Sequence, residues 1–251
     1  MSVSYQTCQN APAAAEACAS HVVAVLEGAL ESQELATLAV SGGTSPKWMF
    51  ERLAASNLPW NRTHLFFVDE RVVPPSDPAS NFKLANEHLI LPARVPQSSV
   101  HRVAGELAPQ AAAQHYVEQI RRFFGLNEGD LPRFDVVHRG MGPDAHTASL
   151  FPGDPLIEDR QGIAAATFAA QFRQWRVTLL PGVLVAAKHT VFLVTGDDKK
   201  EALRSVIHGE YDPMRYPAQI ATRPGHDVVW FLDQAAAALL GPNRKFLLPA
   251  K

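Results

Sequence analysis

Short runs of β-branched and aromatic residues alternate along this chain with longer amphipathic stretches, and that alternation restricts the fold more than any other feature. Strands fed by helical crossovers form a parallel sheet, so the pattern predicts an α/β fold. Strands are expected at 35–41, 64–68, 134–138, 177–180, 190–195 and 228–232. Helices are expected at 13–31, 46–55, 80–89, 109–124, 198–207 and 234–240, with Pro46 and Ser80 suited to helix starts. No fixed-period repeat and no internal boundary is visible, and 251 residues that are 47% hydrophobic suffice for a large core, so residues 1–251 are read as a single domain.

Charge narrows the function. With 25 acidic and 23 basic side chains the formal charge is −2, which supplies no field for gripping nucleic acid or an anionic bilayer. The uninterrupted apolar run near the C-terminus, Ala235 to Leu240, has six residues against the roughly twenty of a membrane span, so a soluble protein is expected. The two cysteines, Cys8 and Cys18, lie in one segment and suit a reducing compartment. The first cationic side chain is Lys47, which leaves no basic targeting segment, and the cytoplasm is the expected location.

Three constellations carry chemistry. In the first, Ser41-Gly42-Gly43-Thr44-Ser45-Pro46, a strand opens through two glycines into a helix. Glycine lets backbone N–H groups approach an anion and the helix N-terminus adds partial positive charge, so the segment suits a phosphate or carboxylate. It lacks the Gly-Lys-Ser/Thr ending of a nucleotide-binding P-loop, and it fits equally an ordinary strand-to-helix turn with Ser45 as N-cap. In the second, Val68-Asp69-Glu70-Arg71 places acid, acid and base past an apolar strand, with Asn81 ten residues after Arg71. Arg71 can hold an oxyanion or phosphate, and the same cluster fits a solvated salt-bridge loop, with Asn81 a polar helix-start residue.

The third runs from Phe134 to Gly153 and includes Gly140-Met141-Gly142-Pro143-Asp144-Ala145-His146-Thr147. Gly140, Gly142 and Ala145 imitate a dinucleotide fingerprint, but Pro143 and Pro152 leave no room for the following helix, so NAD is rejected. A histidine beside a carboxylate remains. Neutral imidazole can take a proton from water near neutral pH, which makes His146 a candidate general base, although on residues alone a hydrogen-bonded loop histidine is the simpler reading. Ser149 lacks the surroundings of a nucleophile elbow, and no metal-ligand spacing appears. Further on, Arg176 and Lys199 stand at strand ends where they could neutralise a phosphate, Arg173 and Lys188 being substitutes, and Lys200 reads as an exposed helix residue.

Taken in order, these motifs resemble the 6-phosphogluconolactonase family. The shared pieces are 41–46, Val68 to Arg71 with Ser80-Asn81, Gly140 to Pro152, Arg176-Val177-Thr178, Gly196 with Lys199, and Trp230-Phe231-Leu232-Asp233. The resemblance implies a Rossmann-like, mostly parallel central sheet with helices on both faces, of the kind found in sugar-phosphate isomerases. It also implies hydrolysis of 6-phospho-D-glucono-1,5-lactone to 6-phospho-D-gluconate in the oxidative pentose phosphate pathway, without metal or other cofactor. His146 takes the position of the family's catalytic histidine, and Asp69 and Arg71 take positions beside the lactone. Gly42, Gly43, Thr44, Ser45, Asn81, Arg176 and Lys199 are the expected substrate- and phosphate-binding residues.

The expected partner is a small phosphorylated sugar lactone, with no nucleic acid and no membrane, in a monomer or small homo-oligomer. The chain departs from the family pattern at His138 and Arg139, where an apolar pair is usual, and at Ala145, where glycine is usual. Arg139 must then reach solvent or a carboxylate, Asp135 and Asp154 being the expected partners, and Ala145 is strained if its φ is positive. Two other readings stand beside this one. A glucosamine-6-phosphate deaminase-like isomerase shares the Ser-Gly-Gly loop and Asp-x-His bend but differs at Arg71 and at 147–152. A non-catalytic sugar-phosphate sensor would need a DNA-binding segment, which the acidic N-terminal 46 residues do not supply.

Overall fold

A computed structural model of the chain describes residues 3–220, 222, 227–240 and 245–246. Its main sheet has eight strands: β1 (Val3–Cys8), β2 (Ala36–Val40), β3 (Thr63–Phe67), β5 (Val100–His101), β6 (Val136–Arg139), β9 (His189–Val194), β10 (Asp227–Asp233) and β11 (Lys245–Phe246). They lie in the order β11-β1-β10-β9-β6-β2-β3-β5, and every pairing is parallel except β1 with β11. The parallel sheet expected from the strand-and-helix alternation is therefore present.

Successive residues of a strand face opposite sides, and here both sides are covered. Val228, Trp230 and Leu232 of β10 pack with Phe192 of β9 in one core, under Leu203 and Val206 of helix α6 (Lys200–His208). Phe231 and Val191 face the other, larger core, to which α1 (Ala11–Leu30), α2 (Pro46–Ala54) and α4 (Pro109–Phe124) contribute Val22, Leu26, Phe50 and Ile120. Ala11–Ser32 is long and apolar enough by length and composition to cross a bilayer, a signal that a search for uninterrupted apolar runs misses because Glu16 and Glu27 interrupt it. In the fold α1 packs along α2 and the sheet, with Ala14, Cys18, Val22 and Leu26 buried.

A second, antiparallel sheet, β4-β8-β7, is built from β4 (Asp69–Arg71), β8 (Gln174–Leu179) and β7 (Ala164–Ala169). Val68 joins the two sheets, its N–H bonding Val40 O at 2.9 Å and its carbonyl accepting from Leu179 N at 2.8 Å. Two short helices, α3 (Asn81–Ala85) and α5 (Pro181–Ala186), complete the frame.

Several local expectations change. The helix expected at 234–240 is a series of turns: Ala237 N bonds Asp233 O, while Ala238 N and Leu240 N each reach three residues back, so no α-ladder forms. The helix expected at 80–89 is divided into α3 and a wider π turn, Asn86–Ile90, although Ser80 does cap it by accepting from Lys83 N at 3.1 Å.

From β2 the order runs outward through β3 to β5, whereas β6, β9 and β10 follow on its other side. The reversal between β2 and β6 opens a crevice beyond their carboxyl ends, where open α/β sheets bind ligands.

Candidate active site

The segment after β2 enters that crevice. Gly42 lies against the Asn81 side chain so closely that a Cβ would sit 1.9 Å from its Oδ1, and Gly43 has φ 117°, so both glycines are required by position. Pro46 begins α2, whose N-terminus faces the crevice. Ser45 occupies the N-cap position of the alternative reading, but its side chain makes no capping hydrogen bond. Its backbone is already helical, and its Oγ lies 2.5 Å from Thr195 Oγ1, which ties the loop to the end of β9.

Strand β4 separates its three charges. Asp69 is buried at the crevice, its Oδ2 accepting from Ser149 Oγ at 2.8 Å and its backbone carbonyl from Asn81 Nδ2 at 2.8 Å. Glu70 turns away and accepts from the N–H groups of Arg71, Asn81 and Phe82, each at 2.7 Å, and from Ser80 Oγ, so it caps α3. Burial raises its pKa despite these bonds, which oppose the shift. Arg71 pairs directly with Arg176 across β4 and β8. Arg71 Nη1 donates to Ala79 O at 2.5 Å, Arg176 is buried beneath Phe172, and the Nε of each has no acceptor among the described residues. Burial first, and then the neighbouring Arg71 charge, lowers the Arg176 pKa. Two adjacent cations short of acceptors suit an anion.

After β6 the chain makes a tight bend rather than a helix: Gly142 N bonds His146 O at 2.9 Å and Ala145 N bonds Gly142 O at 3.0 Å. His146 Nδ1 lies 2.5 Å from Asp144 Oδ1, and the ring packs on Phe151 at 4.6 Å between centroids. A Cβ on Gly142 would lie 2.1 Å from the imidazole, so only glycine admits this ring position. Burial opposes charge on Asp144, but the hydrogen bond to His146 prevails and holds its carboxyl below the usual carboxylate value. Gln171 Nε2 adds a bond to Asp144 Oδ2 at 3.2 Å. Ala145 does have positive φ, 64°, and Ala148 shares the condition at 53°.

Arg139 finds neither expected carboxylate. Asp135 bonds Lys188, Gln33 and Thr37, and Asp154 accepts from Leu156 N and Thr167 Oγ1. Arg139 is instead fully buried, donating to Thr147 Oγ1 and Ile220 O with its guanidinium over the Phe192 ring. A position facing the sheet interior puts carbonyl and aromatic partners within reach. His138 is buried, and among the described residues neither of its ring nitrogens has a hydrogen-bond partner; burial pushes its pKa down to about 3.

One cleft of about 210 Å³, below the usual span for drug-sized ligands and fit for a small metabolite, brings the expected residues together. Its wall includes Gly42, Gly43, Thr44, Ser45, Asp69, Arg71, Asn81, His146, Arg176 and Lys199, joined by Met141, Ala148 and Leu193, which the sequence did not single out. His146 is neither sealed in nor remote from the glycines, its side chain being 22% exposed. Arg173 is not on this wall; it is exposed, at φ 49°, in the turn between β7 and β8. Lys188 sits at the opposite sheet edge, 2.7 Å from Asp135. Lys200 pairs with the exposed Asp197, as a surface residue. Among the described residues no three His, Cys, Asp or Glu side chains are grouped as a metal ion would need.

A mostly parallel α/β sheet with a glycine loop, two adjacent arginines and an imidazole–carboxylate pair gathered at its switch point defines a Rossmann-like protein with a cleft whose chemistry suits a small anionic metabolite. Residues 9–230 match the family of glucosamine-6-phosphate isomerases/6-phosphogluconolactonase, and the chain belongs to that family. It is 36% identical over 207 residues to a 6-phosphogluconolactonase of Synechocystis sp., covering 82% of this chain and 85% of that one. It is 36% identical over 220 residues to the enzyme of that name from Treponema pallidum, covering 86% and 90% respectively. Among solved structures, 6-phosphogluconolactonase from Trypanosoma cruzi is similar with a TM-score of 0.86 at 25% identity, covering 95% of this chain and 97% of that one.

Proposed function

We propose that this chain is an enzyme that hydrolyses 6-phospho-D-glucono-1,5-lactone to 6-phospho-D-gluconate in the oxidative pentose phosphate pathway, with His146 as general base. The observation that carries this reading is the placement of His146, held from behind by Asp144, and the Gly42–Ser45 loop on one cleft. Family membership and the 6-phosphogluconolactonase relatives support the substrate.

Asp144 accepts the Nδ1–H of His146, which leaves the Nε2 lone pair to take a proton from water. The water oxygen bonds to C1 of the lactone, and the carbonyl electrons move onto its oxygen. Arg71 stabilises that oxyanion. Collapse restores the carbonyl and breaks the bond from C1 to the ring oxygen, which leaves with the proton returned by His146. Asp69 stands beside the lactone. The N–H groups of the 42–45 loop, together with Arg176 and Lys199, hold the 6-phosphate, and Asn81 fixes the loop against β4.

The cleft draws on residues spread from Ser41 to Lys199, which supports reading residues 1–251 as one catalytic domain, in a monomer or small homo-oligomer. The free cysteines and the packing of α1 on the sheet support a cytoplasmic location. The test is the decay of freshly generated 6-phosphogluconolactone with and without the protein, beside an assay for ammonia release from glucosamine 6-phosphate. Lactone decay above the spontaneous rate without ammonia release is expected. Ammonia release would assign the deaminase activity, and binding of the phosphosugar without turnover would assign a sensor.

A further inference from the structure

The His146 bend carries two alanines in the left-handed region, Ala145 at φ 64° and Ala148 at φ 53°, a conformation that disfavours any residue with a Cβ. Something must hold it. Beneath it lies Arg139, at 0% exposure the most deeply placed cation near the cleft. Its Nε donates to Thr147 Oγ1 at 3.1 Å, and Thr147 Oγ1 in turn donates to Gly140 O at 2.9 Å, closing the bend from within. Its Nη1 donates to Ile220 O at 2.8 Å, and two residues earlier Ala218 N bonds Ala145 O at 2.9 Å, so the bend and the 218–220 segment are joined at two points. The guanidinium lies 4.6 Å over the Phe192 ring, which is itself stacked on Trp230 at 3.7 Å. Arg139, Thr147, Ile220, Phe192 and Trp230 do not line the cleft, whereas Gly140 and Ala148 of the bend do.

We propose that Arg139 is a positioning residue for the reaction: a buried guanidinium that, through Thr147 and Ile220, fixes the 140–148 bend and so the direction of the His146 imidazole. This inference rests on the reading of His146 as general base. Arg139 touches no substrate. It acts by keeping the base where it can reach water, and small displacements of such groups are enough to slow a reaction.

The experiment is steady-state lactone hydrolysis by wild type, Arg139→Leu, Thr147→Val, Thr147→Ser, the double variant Arg139→Leu/Thr147→Val, and His146→Ala. Arg139→Leu and Thr147→Val should each lower kcat about tenfold with KM within about twofold. Thr147→Ser, which restores the hydroxyl, should return kcat towards wild type, and the double variant should be no slower than the worse single one, as for two members of one path. Wild-type kcat in a folded Arg139→Leu, or losses that multiply in the double variant, overturns the proposal. If Arg139→Leu does not fold, the contrast of Thr147→Val with Thr147→Ser decides, equal rates in those two counting against it. His146→Ala separates the two readings: full activity there removes the general base, whereas an inactive His146→Ala beside a fully active Arg139→Leu removes only the role of Arg139.

Discussion

Asp144 holds His146 by two atoms at once: its Oδ1 lies 2.5 Å from the imidazole Nδ1 and accepts the His146 backbone N–H at 3.1 Å. The carboxylate therefore sets both the tautomer and the ring direction, and it is placed to stabilise the imidazolium that the proposed general base would form on taking a proton. Asp144→Asn should lower kcat by about tenfold or more while KM changes little, since the carboxylate does not itself line the cleft. Steady-state hydrolysis measures both constants. A KM increase with unchanged kcat would show that Asp144 serves binding instead.

Gly142 provides a steric test of the same geometry. Its α-carbon faces the imidazole, and an added Cβ would lie 2.1 Å from Cε1 and Nδ1. Gly142→Ala should displace the ring and reduce kcat by about tenfold or more. Circular dichroism and the thermal midpoint should stay near wild type, because the atoms an added Cβ meets belong to the His146 and Asp144 side chains and not to backbone. A crystal structure of the variant with the imidazole unmoved would contradict the argument.

The phosphate role proposed for Arg176 and Lys199 is separable from the chemistry. Arg176→Ala or Lys199→Ala should raise KM for the phosphorylated lactone much more than for unphosphorylated glucono-1,5-lactone, because only the former presents the dianion. Comparison of kcat/KM for the two lactones is the measurement. Equal losses on both would place the two cations elsewhere in the reaction.

His138 predicts an acid-sensitive stability. In the folded protein burial pushes its pKa down to about 3, against an ordinary value of 6.5 in the unfolded chain. Between those values the unfolded state binds a proton that the folded state excludes, so this contribution is intact above pH 6.5 and is lost progressively as the pH falls towards 3. At pH 5 the loss is about 2 kcal/mol. His101, pushed down to about 4 by burial and then by the charge of His64, acts in the same direction. Urea unfolding midpoints of wild type and His138→Leu at pH 7.5 and 5 should show a shallower decline in the variant. Parallel declines would mean that His138 is protonated in the folded state.

The parts of the fold that were legible in the sequence are those whose residues report their own burial. Strands β2, β3 and β9 are covered on both faces and read as apolar runs, whereas Ser4 and Gln6 break the run in β1, and β4 consists of three charged residues whose strand character comes from pairing with β8, about a hundred residues away. The site was legible because its residues stand at the carboxyl ends of such strands, next to the glycines that bend the chain. Glu70 shows the limit: its neighbours Asp69 and Arg71 share its charge pattern, but only the structure reveals that it caps α3 while they face the cleft. Arg139 and Gln171 act through partners 81 and 27 residues distant, which no local pattern announces.

The claim on which the account turns is that the His146 imidazole takes the proton from the attacking water. Its most direct test is the rate of 6-phosphogluconolactone decay in the presence of His146→Ala, measured against wild type and against the uncatalysed reaction in the same buffer. The account predicts a kcat at least about a hundredfold below wild type with KM little changed. Turnover by His146→Ala within a few fold of wild type would contradict it.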